Sequence, residues 1–165
     1  MSNIVAPKLD RLDRRILDLL QREGRITNAE LAERVSLSPS PCLRRVKALE
    51  DAGVIRGYAA QLDPARLGLG LTAFVTVSLE KRGGNMPAAA LAAAVAVWPE
   101  VLECHALTGE MDYLLRVAVT DLAHYSRFVL ERLLKLEGVV NVKSSFVLQE
   151  VKTGGGLPLD HLCGA

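Results

Sequence analysis

Apolar and charged residues alternate with a helical period at the start of the chain. Leucine and isoleucine recur at three- and four-residue spacing over residues 8–23, which predicts an amphipathic helix. Thr27 followed three residues later by Glu30 has the pattern of a capping box, so a second helix is expected to begin there. Its apolar side ends near Val35. The pattern therefore predicts two short helices joined by a tight turn.

A third helix is expected after the sequence Ser-Pro-Ser-Pro. We place its start at Ser40 or Pro41, because proline favours the first helical turn, and its end before Gly53. Three-residue spacing predicts inward positions at Leu43, Val46 and Leu49. Apolar and polar residues alternate loosely over residues 54–62, and this pattern predicts a strand. Three short helices and a strand, with a tight turn before the third helix, are typical of a winged helix-turn-helix.

The rest of the chain has a different sequence pattern, in which runs rich in β-branched residues alternate with segments of helical period. Strands are expected at 71–80, 101–108, 113–119 and 139–151, and helices at 87–98 and 122–135. The order β-α-β-β-α-β is that of the ferredoxin-like sandwich. The predicted fold class is therefore α+β, with the helix-turn-helix preceding this sandwich.

A turn-forming segment, Asp63–Arg66, separates the two patterns. We divide the chain into a helix-turn-helix domain at 1–62, a linker at 63–70 and a βαββαβ domain at 71–152. The glycine-rich segment 153–165 is expected to be a flexible tail.

The composition indicates a globular protein with a core and argues against several other classes. Half of the 165 residues are apolar, which permits a real core. The longest apolar run, Ala88–Trp98, is shorter than the roughly 20 residues of a membrane span. The start of the chain has no secretory signal pattern, so a cytoplasmic protein is expected. The three cysteines lie far apart, which argues against a disulfide framework or a zinc site, and Cys42 is interpreted as a buried packing residue.

Charge is distributed unevenly although the net charge is only +1. Residues 1–62 carry 11 basic and 8 acidic side chains, whereas the remainder carries 9 and 11. Basic residues concentrate early in the third helix, at Arg44, Arg45 and Lys47. Cations there oppose the helix dipole, so an external anion such as DNA phosphate would stabilise them. The alternative is an ordinary solvated basic face, and the three-helix context favours DNA binding.

Two segments resemble the Lrp/AsnC family of bacterial and archaeal regulators. Leu37–Pro64 (LSPSPCLRRVKALEDAGVIRGYAAQLDP) resembles the family's recognition helix, wing and linker strand. Glu103–Val117 (ECHALTGEMDYLLRV) resembles its effector-binding core, and the likeness extends over roughly residues 8–152. The resemblance implies a cytoplasmic, nucleoid-associated regulator that binds double-stranded DNA. It also implies homodimers that assemble into octamers, and an amino-acid effector as the bound small molecule. The sequence itself predicts no metal and no membrane partner.

The same resemblance assigns site residues. The DNA-binding positions would be Ser38, Ser40, Arg44, Arg45 and Lys47, where hydroxyls donate to phosphate and arginine can also bind a guanine edge. The effector-binding positions would be Leu107, Thr108, Gly109, Glu110, Met111, Asp112, Tyr113, Ser144 and Ser145. Glu110 departs from the family's aspartate. A turn can offer backbone N–H groups to a carboxylate and an acidic side chain to an ammonium group. The alternative is a polar hairpin turn without a ligand.

The sequence alone is compatible with three functions. The favoured one is a sequence-specific transcriptional regulator of amino-acid metabolism that responds to an amino acid, with branched-chain amino acids as the first guess. An architectural DNA-wrapping protein would have the same sequence features as the regulator. The two differ only in the ratio of specific to non-specific DNA affinity. Some tetrapyrrole decarboxylases also share the two-domain layout, but the basic and histidine residues available here are only Arg116, His105 and His124. We therefore expect no enzymatic activity.

Overall fold

The computed structural model describes residues 7–80 and 86–163. The chain forms two compact units. One comprises the chain up to Gln61 together with the tail from Lys152, and the other comprises Leu62–Val151. Within the described ranges, no helix combines the length and apolar character that crossing a membrane requires.

Three helices build the first unit: α1 (Arg11–Arg22), α2 (Asn28–Arg34) and α3 (Pro39–Asp51). Helix α1 begins later than the predicted residue 8, and side-chain caps define the starts of both α1 and α2. Asp10 caps α1 and Thr27 caps α2, each through a reciprocal capping box with the third helical residue. The capping box at Thr27 and Glu30 confirms the sequence prediction.

Helix α3 begins two residues earlier than predicted. Its N-cap is Ser38 and its first helical residue is Pro39, so the start at Ser40 or Pro41 is wrong. Proline fits the first turn at both positions, and the earlier proline takes the first place. The buried side chains of the unit are Ile16, Leu31, Ala32, Val35, Cys42, Val46 and Leu49. Cys42 therefore packs in the core as predicted. The inward position predicted for Leu43 is wrong: Leu43 is 44% exposed, because Cys42, four residues before Val46, occupies the core position.

Residues 54–62 form no strand in the described chain. A strand needs a partner for its backbone groups, and the described residues of the first unit include no strand that could pair with this segment. The tail, expected to be flexible, instead contacts α1. The Gln21 side-chain amide donates to the Leu157 carbonyl oxygen (3.1 Å) and accepts from the Leu157 N–H (2.9 Å).

The second unit contains one antiparallel sheet in the order β2-β3-β1-β4. The strands are β1 (Leu71–Leu79), β2 (Val101–Ala106), β3 (Tyr113–Val119) and β4 (Val139–Phe146). The central position of β1, between β3 and β4, is that of the ferredoxin-like plan and confirms the predicted fold class. Strand β4 is shorter than predicted, because its pairing with β1 ends at Phe146.

Two helical segments cover one face of the sheet. They are α4 (Met86–Val95) and α5 (Leu122–Phe128), and α5 continues as one π-helical turn over Val129–Leu133. The core lies between these helices and the alternate residues Ala73, Val75, Val77 and Leu79 of β1. The opposite face of the sheet is open in the single chain, and Phe74 is exposed there.

Candidate functional site

The outward face of α3 carries the basic residues of the first unit. Cys42, Val46 and Leu49 point into the core, and successive residues are rotated by about 100°. Arg44 and Lys47 therefore lie on the far side of the helix. Both are exposed, and neither makes an ion pair or side-chain hydrogen bond with any residue that the structure describes. Their charges are available to an external anion.

Arg45 differs from its two basic neighbours. Its Nη1 atom donates to Asp10 Oδ2 (2.7 Å) and to Asp13 Oδ1 (2.7 Å), so it joins α3 to the capping box of α1. Its side chain is 33% exposed, and that of Asp13 is 15% exposed. The hydrogen bonds to Asp13 and Asp10 raise the pKa of Arg45. The pKa of Asp10 lies below its ordinary value, first because it accepts from the Asp13 N–H and then because Arg45 is near.

We call Arg45, Asp10 and Asp13 the arginine triad. With one positive and two negative charges, it carries a net charge of −1. The structure thus places one of the five predicted DNA-binding residues in an internal ion pair.

The serines at the start of α3 are exposed. The Ser38 side chain makes no capping hydrogen bond, which leaves its hydroxyl available, and Ser40 lies one turn before Arg44. Asn28 at the start of α2 fixes this end of α3, because its Nδ2 donates to the Pro39 carbonyl oxygen (2.9 Å). The structure therefore brings Ser38, Ser40, Arg44 and Lys47 together on one surface.

The hairpin between β2 and β3 contains the predicted effector residues. Asp112 anchors it to β1: its Oδ2 accepts from the Leu79 N–H (2.7 Å), and its own N–H donates to the Val77 carbonyl oxygen (3.0 Å). Met111 is tied to the same strand, because the Ser78 hydroxyl donates to its sulfur (3.2 Å). The hairpin is consequently a fixed part of the sheet.

A cavity of about 310 Å³ lies beside this hairpin. Its volume falls at the lower end of the range of roughly 300–1,000 Å³ that ligand sites occupy. Its lining residues are Leu79, Glu80, Pro87, Ala88, Ala106, Leu107, Asp112 and Tyr113. The lining thus combines apolar side chains with polar atoms, and the acidic residues Glu80 and Asp112 provide negative charge. Three predicted effector residues, Leu107, Asp112 and Tyr113, contribute to it.

The tip of the hairpin lies outside this lining. Thr108, Gly109 and Glu110 are exposed, and the Glu110 carboxylate is 87% exposed and 3.8 Å from Lys143 Nζ. The backbone N–H groups of residues 108–111 donate no hydrogen bond within the part of the chain that the structure describes. These N–H groups are therefore free to bind a carboxylate.

Ser144 and Ser145 are not brought to the hairpin together. Ser144 pairs with Val75 on the helix-covered face, where the Tyr125 hydroxyl donates to its oxygen. Ser145 pairs with Phe74 on the open face. Neighbouring residues of a strand point to opposite faces, so both cannot line one pocket. Neither lines the cavity beside the hairpin.

Sequence reasoning missed the cavity residues outside the hairpin. Leu79 ends β1, Glu80 follows it, and Pro87 and Ala88 lie in the first turn of α4, so these positions are distant in sequence from Asp112. Ala106 alone could have been found, because it directly precedes the predicted segment. The contact between Gly138 and Pro87 also had no sequence signal beyond a glycine, which adopts a φ of +86° there.

Both parts of the chain that contain these surfaces match known protein families. Residues 72–157 match the family described as the Lrp/AsnC ligand binding domain, and residues 9–56 match winged helix-turn-helix DNA-binding. The chain belongs to the Lrp/AsnC family. It is thus a DNA-binding transcription regulator with a ligand-binding domain, as the resemblance implied.

Individual Lrp/AsnC relatives are similar over nearly the whole chain. The leucine-responsive regulatory protein of Salmonella typhimurium is 45% identical over 149 residues, which cover 90% of each chain. That of Rhizobium meliloti is 46% identical, covering 90% of this chain and 95% of its own. A Neisseria meningitidis transcriptional regulator, crystallised as a complex with L-methionine, is 55% identical with a TM-score of 0.89 and covers 93% of this chain and 99% of its own.

Proposed function

We propose that this chain is a sequence-specific regulator of amino-acid metabolism whose binding to double-stranded DNA responds to an amino acid. The DNA-binding part of the proposal rests on Arg44 and Lys47. Both side chains face outward and form no ion pair with any described residue. Ser38 and Ser40 would add phosphate contacts beside them. In this proposal Arg45 supports α3 through the arginine triad and does not contact phosphate.

The amino-acid response is proposed from the cavity beside the hairpin. Asp112 or Glu80 would bind the ammonium group, and the N–H groups at the hairpin tip would bind the carboxylate. The apolar side chains within the lining, among them Leu107, suit an aliphatic or thioether side chain. The L-methionine complex of the Neisseria relative supports the same class of ligand. L-Methionine and the branched-chain amino acids are therefore the first ligands to test.

We also propose that the chain works as a homodimer that assembles further, with an octamer as the expected end state. Large apolar side chains remain exposed in the single chain, among them Phe74 on the open sheet face, Leu130 within the π-helical turn and Leu134 directly after it. Such patches commonly mark contacts between protein surfaces. A monomer in light scattering at micromolar concentration would contradict this part.

A thermal-shift screen against the twenty amino acids tests the ligand response. A ligand at 100 times its Kd stabilises the folded state by about 2.7 kcal/mol, which gives a clear shift in Tm. We expect Asp112→Asn to lose that shift. Glu131→Gln, which removes one exposed carboxylate outside the cavity lining, should keep it. A shift that survives in Asp112→Asn would place the ligand elsewhere, and no shift with any amino acid would contradict the proposed effector class.

A further inference from the structure

One apolar side chain interrupts the basic surface of α3. Leu43 is 44% exposed, although it lies between the buried residues Cys42 and Val46 in sequence. Cys42 occupies the core position, and a rotation of about 100° per residue carries Leu43 out of it. Leu43 is not part of the hydrophobic core that the described residues of the first unit form.

The neighbours of Leu43 indicate what could cover it. Ser40 precedes it by three residues and Lys47 follows it by four, so both share its face of the helix, and Arg44 is adjacent. The same face of a second copy would bring like charges together, which is unfavourable. A duplex supplies phosphates for the cations, and the C5-methyl group of thymine supplies an apolar contact in the major groove.

We propose that Leu43 contacts the C5-methyl group of a thymine and is a specificity-determining residue of α3. It is the fifth residue of the helix, within the N-terminal part that reaches base edges in helix-turn-helix proteins. The contact distinguishes thymine from cytosine and from uracil, which both lack the methyl group. This inference rests on the proposed sequence-specific DNA binding.

The test removes one methyl group at a time from the DNA. The wild-type full-length protein first selects a tight-binding duplex from a random-sequence library. Each thymine of that duplex is then replaced by deoxyuridine, and Kd is measured by fluorescence anisotropy for wild type and for Leu43→Ala. We expect one thymine in each half-site at which wild type loses about fourfold in affinity, the effect of one apolar carbon group returned to water.

The variant decides whether Leu43 senses that methyl group. Leu43→Ala should bind the thymine and deoxyuridine duplexes equally at that position. Arg44→Met, the matched control, should bind more weakly overall yet keep the fourfold difference. Because Leu43 is exposed, its replacement should leave the urea midpoint unchanged, and Leu43→Met serves as a second variant that retains the methyl sensitivity.

Two results would overturn the assignment. Either no thymine shows methyl sensitivity in wild type, or Leu43→Ala keeps the same sensitivity as wild type. Failure of the proposed function itself is distinguishable, because wild type would then bind the selected duplex no better than a scrambled one.

Discussion

Replacement of Arg45 by methionine should weaken the fold of the first unit and leave the contacts with DNA phosphate unchanged. Methionine keeps the length of the apolar stem and removes the guanidinium group. The change breaks both contacts of Nη1, with Asp10 and with Asp13, and leaves the second carboxylate, only 15% exposed, without its cation.

The expected size of the effect follows from this partial burial. Exposed ion pairs contribute about 0–1 kcal/mol, whereas removing one partner of a buried pair costs about 3–5 kcal/mol. The arginine triad lies between these limits, so Arg45→Met should lower the free energy of unfolding by about 1–2 kcal/mol. Urea unfolding followed by far-ultraviolet circular dichroism measures it.

The salt dependence of DNA binding separates the two roles of a basic residue. The slope of log K against log salt is negative, and each lost phosphate contact reduces its magnitude by about 0.9 on duplex DNA. Arg45→Met should keep the wild-type slope on a non-specific duplex. Arg44→Met removes the same charge at the adjacent position and should reduce the magnitude of the slope. A slope reduced in Arg45→Met, with unfolding unchanged, would refute the assignment and return Arg45 to the DNA-binding surface.

The triad also predicts the direction of a pH effect. Because the pKa of Asp10 is lower in the folded state, its contribution to stability is complete above its ordinary value of 3.8. That contribution is lost as the pH falls through the folded-state pKa. Asp10→Asn, which retains a capping side chain, should flatten this acid limb of the stability curve in urea unfolding at several pH values. An unchanged acid limb would contradict the role of Asp10.

Three glycines give further predictions. Gly138→Ala places a Cβ 2.5 Å from Pro87 Cβ at a φ of +86°, whereas Gly109→Ala meets only open space at a φ of +124°. Both incur about 1–3 kcal/mol of backbone strain, and Gly138→Ala should cost about 1–3 kcal/mol more in urea unfolding. Gly156→Val places a Cβ 2.6 Å from Gln21 Cδ, so it should displace that amide and speed proteolytic cleavage of the tail. Equal unfolding energies, or unchanged cleavage, would contradict these contacts.

Features set by local chemistry were predictable from the sequence. The capping box at Thr27 and Glu30 involves only neighbouring residues, and its pattern and geometry agree. The alternation of β1 likewise defines which residues face the core. The start of α3 was ambiguous, because prolines at two positions satisfy the same local rule, and the structure places Pro39 first.

Features that depend on distant contacts were not predictable in the same way. Arg45 and Asp10 are separated by 35 residues, so their ion pair had no local signal. The π-helical turn over Val129–Leu133 also had no local signal, because the sequence pattern predicts one continuous helix over 122–135. Ser144 and Ser145 were assigned to one pocket against the strand period, which alone could have separated them.

The most direct test of the regulator is one titration of DNA binding with the amino acid that gives the largest thermal shift. Fluorescence anisotropy would measure Kd for the selected duplex and for a scrambled duplex, at one stated salt concentration. We predict a preference for the selected duplex of at least about 10³ and a change in its Kd of about 5- to 150-fold when the amino acid is present. Equal binding to both duplexes, or a Kd that the amino acid leaves unchanged, would contradict an amino-acid-controlled, sequence-specific regulator.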